Sequence, residues 1–274
     1  MELRVREAAA RRRRYFRLVL LALALVLLGS ALFSFWVGYY PLTLDQVVKA
    51  FLSRFGWEGE LPDQAVTIFW KIRLPRILSA LFIGASLSVA GATYQGMFRN
   101  PLVSPDILGV SSGASLGAAL AILRGSPNWL IQVSAFVGGV AAVAFSYLVR
   151  RKSVHSQILS LVLTGSMVMA LCNAGVTMIK YVSDPNDVLQ QITFWLMGSL
   201  TKADMDSFRW SVIPMAVGLA VILLLRWRLN LLTLDEEEAR TLGINVRGYR
   251  ILFIAASTLL SAAAVCLGGL IGWV

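Results

Sequence analysis

Two clusters of charge stand out in a chain that otherwise avoids it. The first is Arg73-Leu-Pro-Arg76. Pro75 fixes the chain direction just before an apolar segment, and the three-residue spacing lets both guanidiniums project from the same mouth. Two readings stand for this pair. Arginines at a membrane edge snorkel to phosphate headgroups, and arginines also make bidentate contacts with carboxylates on a docking partner. The second cluster is Thr233-Leu-Asp-Glu-Glu-Glu-Ala-Arg-Thr-Leu-Gly243. Thr233 with Glu236 forms a capping box, the acids crowd the positive helix end, and Gly243 supplies a left-handed stop. The result is a short helix outside the membrane, either a solvated surface helix or a contact for a soluble partner.

The absences are as informative. No Asp, Glu, His, Lys or Arg falls in the middle of an apolar segment. An ion-coupled transporter needs such a group, and the cost of burying one makes it a marker. That argues against a secondary transporter or channel acting without an ATPase. An intramembrane metalloenzyme or serine protease is also excluded, because clustered His, Asp or Glu and a Ser-His pair are missing. No G-x-x-x-x-G-K-[ST] loop occurs, so ATP hydrolysis would have to come from another chain. Cys172 and Cys266 lie in apolar runs and His155 in a polar loop, with no metal-ligand spacing, and no cofactor is expected. The polar residues within apolar segments are Thr93, Gln95, Thr164, Ser166, Asn173 and Thr177. Such groups hydrogen-bond between helices, and those of the fifth segment could instead line a route for solute.

The elements that must position these groups are membrane helices. Hydrophobic residues make up 57% of the 274 and charged ones only 15%, where a soluble domain carries about a quarter. The formal net charge of +10 needs no nucleic acid, since Lys and Arg collect in cytoplasmic loops. Residues 1–17 are a basic cytoplasmic N-terminus, and residues 18–274 form the transmembrane region. About seven spans are expected at roughly 20 residues each: 18–39, 77–97, 107–123, 129–149, 158–179, 211–225 and 251–274. This is an all-α polytopic bundle. With the N-terminus inside, Arg99, Arg150 to Lys152, Arg226, Arg228, Arg240, Arg247 and Arg250 all fall inside, as the positive-inside rule requires. The first external loop, Pro41 to Lys71, leads to Lys71, Arg73 and Arg76 against that rule. Thr43 opens a short amphipathic helix in it by a capping box, and Phe194 to Leu200 reads as a short helix at the membrane surface.

Small residues recur every fourth position as Ala80, Gly84, Ser88, Ala92 and Gly96, and again as Gly109, Gly113, Gly117 and Ala121. Each set shares one helix face and allows close backbone approach in lipid. Between them, Asn100-Pro101 and Ser104-Pro105 predict a turn, with Ser104 as cap and Asp106 facing the next helix dipole. The expectation is a tight hairpin of two packed helices.

These residues, in this order, resemble the FecCD family, the permease subunits of ABC importers for iron-siderophores, haem and cobalamin. The resemblance rests on Arg73-Leu-Pro-Arg76, Gly91-Ala-Thr-Tyr-Gln-Gly-Met-Phe-Arg-Asn-Pro-Leu102, and Pro105-Asp-Ile-Leu-Gly-Val-Ser-Ser-Gly-Ala114. Trp195-Leu-Met-Gly-Ser and Ala239-Arg-Thr-Leu-Gly-Ile-Asn-Val246 add to it. It implies a permease in the inner membrane that is not itself an enzyme. It pairs with a second permease copy, a pair of ATPases and an extracytoplasmic substrate-binding protein. By position, Arg73 and Arg76 receive glutamates of the binding protein. Asp235, Glu236, Glu237, Glu238, Ala239, Arg240, Leu242 and Gly243 contact the ATPase. Ser156 and Gln157 lie at an inner gate, and the fifth span, with Ser166, Asn173 and Thr177, lines the path. The resemblance also implies ten spans, of which this chain carries about seven before stopping at Val274.

Overall fold

The computed structural model describes residues 2–55, 62–149, 157–232 and 245–271. Among them the regular structure is helical: α1 (Glu2–Trp36), α2 (Leu44–Leu52), α3 (Asp63–Ile68), α4 (Leu74–Phe98), α5 (Val110–Leu123), α6 (Asn128–Val149), α7 (Gln157–Val182), α8 (Val188–Met197), α9 (Met205–Leu231) and α10 (Val246–Gly268). The chain divides into two compact units, Met1–Ile77 and Leu78–Val274.

In the first unit, α1 carries the basic residues Arg11–Arg17 on the same continuous helix as the apolar run that follows. The loop expected from Pro41 to Lys71 is largely helical. Thr43 caps α2 by the predicted box, with its hydroxyl accepting from Gln46 N and the Gln46 side chain accepting from Thr43 N. α3 then runs through a π turn, Phe69–Arg73, directly into α4. The turn is where Pro75 is absorbed. A proline inside a helix lacks its own N–H and clashes with the carbonyl four residues back. Widening the preceding turn, so that Leu74 N–H reaches Phe69 O, lets the helix pass through without a break. The helix that carries the second span therefore begins at Asp63, well ahead of Ile77.

In the second unit α10 is the central element, with 78% of its apolar window buried against 39% or less for the other long apolar helices. Phe253 and Leu260 on it are fully enclosed with Tyr94, Met97, Leu108 and Met215 in one core. Gly218 lets α9 approach closely, since a Cβ there would stand 2.9 Å from Ala256 O. Among the described residues six helices are long and apolar enough to cross a membrane. α9 runs through Pro214 and is far longer than the expected Ser211–Leu225. α5 is the exception to the seven expected spans. At 1.5 Å rise per residue its 14 residues make about 21 Å, short of the roughly 30 Å hydrocarbon thickness.

Candidate functional site

The connection Arg99–Gly109 is the most heavily braced stretch of the second unit. α4 ends in a Schellman pattern, with Asn100 N reaching Gln95 O and Arg99 N reaching Gly96 O, and Arg99 at the left-handed position with φ 52°. Gln95 Nε2 donates to the carbonyls of Pro101 and Val103 at 3.0 and 3.3 Å. Ser146 of α6 donates to Leu108 O at 3.2 Å, and Ser261 of α10 to Pro105 O at 3.5 Å. Buried backbone carbonyls need such partners, and here three helices supply them.

The start of α5 differs from the expectation. Ser104 does not cap it, because turns at residues 105–108 separate it from the helix, which starts at Val110. Gly109, at φ +85°, is the cap position, and Asp106 Oδ1 accepts from Ser111 N at 2.6 Å across that left-handed corner. Gly109 thus serves conformation first, although a Cβ there would also stand 3.1 Å from Met169.

The expected hairpin of α4 on α5 is likewise not what forms. α5 lays its small residues against α6: a Cβ on Gly113 would meet Gly138 O at 2.5 Å, and one on Gly117 would meet Ser134 O at 2.1 Å. On α4, Gly84 has nothing within 4 Å, Ser88 is exposed, and Gly96 meets only the Leu229 side chain, at 3.7 Å. Lipid and protein present equally apolar surroundings, so spacing alone cannot say which stripe finds a helix.

α7 has two distinct faces. On one, a Cβ on Gly165 would meet Ile107 O at 2.4 Å, so the helix rides directly on the braced connection. On the other, Ser166, Asn173 and Thr177 are exposed at i, i+7 and i+11, which places them on one side. Their flanks are apolar: Leu163, Met167, Leu171 and Met178 are also exposed. The hydroxyls of Ser166 and Thr177 donate to the carbonyls four residues back, so the strip is polar without being charged or strongly hydrogen-bonding. Gln157 opens α7. Ser156 and the acidic segment from Asp235 to Gly243 lie outside the described residues.

The arginine pair is split in role by the fold of the first unit. Arg73 is only 8% exposed, and its guanidinium donates to the backbone carbonyls of Phe35 and Tyr40. It ties the end of α1 and the following loop to the π turn. Arg76, one turn on, is partly exposed. No sequence signal announces this clamp, because the carbonyls it binds lie more than 30 residues away.

One crevice also has no counterpart in the sequence reading. It encloses about 560 Å³ between α6, α9 and α10, and its lining includes Trp129, Gln132, Trp210, Pro214 and Cys266. Gln132 Nε2 donates to Ser207 Oγ at 3.0 Å along its edge.

Comparison with known proteins bears on all of this. The chain is similar to the molybdate import system permease protein MolB of Haemophilus influenzae, 38% identical over 256 residues, which are 93% of this chain and 76% of that protein. It is also similar to the hemin transport system permease protein HmuU of Yersinia pestis, 38% identical over 229 residues, 80% of this chain and 66% of that protein. A solved structure described as an inward-facing conformation of a metal-chelate type ABC transporter superposes with a TM-score of 0.82 at 36% identity. The match covers 93% of this chain and 77% of that one. The pattern of a single family runs through residues 22–274, which include the braced connection, both faces of α7 and the arginine turn, and the chain belongs to the FecCD transport family.

Proposed function

We propose that this permease moves a metal chelate, such as a ferric siderophore, haem or a corrinoid, into the cytoplasm by alternating access. The relatives named for molybdate, hemin and cobalamin transport frame that range of cargo. The observation that carries the proposal is the exposed strip of α7. Ser166, Asn173 and Thr177 form a neutral polar line flanked by the exposed Leu163, Met167, Leu171 and Met178. A large chelate must pass such a wall without being held, and a wall with no charge offers no deep electrostatic trap. A second copy of the chain supplies the opposing wall, so the path lies between two α7 helices, with Ser156 and Gln157 at its inner gate.

The energy comes from elsewhere. A pair of ATPase subunits grips the acidic segment Asp235–Gly243 on the cytoplasmic side, where the N-terminus of the chain also lies. A loaded binding protein docks from outside, with Arg76 as the exposed member of the arginine pair and Arg73 holding the platform beneath it. Closure of the ATPases moves the acidic segment and tilts α9 and α10, which flank it in sequence. Because Gly165 presses on Ile107, α7 follows the connection when its bracing helices shift.

Reconstitution with an ATPase and a binding protein tests the reading. Uptake of a ferric chelate that requires ATP supports it, and uptake that persists without the ATPase and follows an ion gradient rejects it. Replacing Glu236, Glu237 and Glu238 with Lys is expected to leave the complex unable to raise ATPase turnover on docking, as read by phosphate release.

A further inference from the structure

The nine residues of α2 present three different sides. Ala50 is fully enclosed where the helix meets α3 and the π turn, and Trp70 Nε1 donates to its carbonyl at 2.9 Å. Asp45 and Lys49 pair at 2.5 Å on a second, polar side. The third side consists of Leu44, Val48, Phe51 and Leu52, the i, i+4, i+7, i+8 pattern of a single helix face. These four side chains are 67, 56, 48 and 39% exposed. An ordered helix that turns its apolar face outward meets an apolar phase there, since the same residues would otherwise face water at a loss.

The place of α2 in the first unit identifies that phase. α1 is exposed along Leu18–Trp36, the length on which a membrane helix meets lipid. Seven residues separate Trp36 from Leu44. On its other flank α2 packs on the helical run Asp63–Phe98, which is itself long and apolar enough to span. Both tethers therefore hold α2 near the plane where the chain leaves the bilayer. Arg73 shortens the slack by binding the carbonyls of Phe35 and Tyr40 at once. Gly38 leaves room for this, since a Cβ there would stand 2.7 Å from the guanidinium. Trp36, Tyr39 and Tyr40 lie at the end of α1 and on the connection to α2, Trp70 packs on Phe51, and Trp and Tyr gather at the boundary between lipid and water.

We propose that α2 is an interfacial helix, lying on the phospholipid surface with Leu44, Val48, Phe51 and Leu52 sunk among the upper acyl chains and the Asp45–Lys49 pair in water. Lipid is favoured over a protein partner because α2 packs in one compact unit with α1, whose apolar length is itself exposed. Asp45 and Lys49 neutralise each other within the helix, so the pair presents no net charge to select a protein. By floating at a fixed depth, α2 sets the height of the Arg73–Arg76 turn above the membrane. This holds whatever the cargo, and it stands apart from the transport reading.

Spin labels on cysteines introduced singly at positions 44 to 52 test the proposal in the full chain, reconstituted into phosphatidylcholine vesicles. The unsubstituted chain, whose Cys172 and Cys266 are buried, gives the background. Collision with oxygen, which concentrates in lipid, is expected to be about threefold higher at 44, 48 and 52 than at 45, 46 and 49, and collision with a water-soluble nickel chelate is expected to show the reverse. Nickel access that is uniform along the helix overturns the proposal in favour of a solvated loop. Low access to both reagents at 44, 48 and 52 overturns it in favour of burial by a second copy. Because F51C also removes the ring stacked on Trp70, the comparison is made at the other positions.

Discussion

Gly117 of α5 and Ser134 of α6 approach so closely that a Cβ on the glycine would stand 2.1 Å from the serine carbonyl oxygen. Backbone cannot yield as a flexible side chain can, so G117A must push the two helices apart. The expected cost is about 1–3 kcal/mol, the range for overpacking a tight contact. G84A sits where nothing lies within 4 Å, and there the gain in helix propensity, about 0.5–1 kcal/mol, should raise stability. Melting of both variants in detergent checks this pair of opposite signs, and equal effects would refute the packing assigned to α5.

The two arginines of the turn should separate in the same way. R73Q removes charged donors from the Phe35 and Tyr40 carbonyls and should lower stability by about 1.5–3 kcal/mol. On the docking proposed above, R76E should weaken binding-protein association by about tenfold or more. Titration of the reconstituted permease with its binding protein reads the second effect. A result in which R73Q alone abolishes docking without any loss of stability would reverse the assignment.

Asp204 gives the start of α9 a pH dependence. Hydrogen bonding from the Ser207 side chain, joined by the Ser207 backbone N–H at 2.8 Å, holds its pKa below the ordinary carboxylate value. The ionised form is the one the fold favours. Its contribution is therefore complete above the unfolded pKa of about 4, and it fades as pH falls through the lower folded value. D204N keeps an acceptor at the cap but does not titrate, so its stability should be flatter across that acidic window. Melts between neutral and strongly acidic pH measure the difference.

The bracing of the connection predicts a graded series. D106A deprives Ser111 N of its acceptor and should cost about 1–2 kcal/mol, as loss of a cap does, whereas D106N should cost less. S146A leaves Leu108 O without its donor and should cost about 1–3 kcal/mol. Hydrogen exchange at the amides of residues 107–111 is the readout, with faster exchange expected in D106A and S146A than in D106N.

Much of this architecture is legible in the residues. Hydropathy and length locate α6, α7 and the apolar part of α1 to within a few residues, and the Thr43 box marks the start of α2. The departures share a physical origin. Pro75 reads as a boundary just before a span, yet a π turn absorbs it within a continuous helix, and α9 begins at Met205, six residues ahead of the expected start, because neighbouring elements hold the backbone where local propensity would end it. The stripes on α4 and α5 have the same spacing, and only the tertiary structure says that Gly113 and Gly117 meet α6 while Gly84 meets nothing. Asp106 is legible as a partner for the next helix, but the left-handed corner at Gly109 moves the start of that helix along the chain. The Arg73 clamp is not legible at all, since a carbonyl acceptor leaves no mark in the sequence.

The brevity of α5 has an electrical consequence. Where a helix falls about 9 Å short of the hydrocarbon slab, by the rise and thickness used for its length, the segment Asn100–Gly109 becomes part of the insulation. What seals that spot is Gln95, Ser146 and Ser261 occupying carbonyls that water would hydrate. Loosening any of the three invites ion leakage, so the membrane potential would register damage there before cargo flux did.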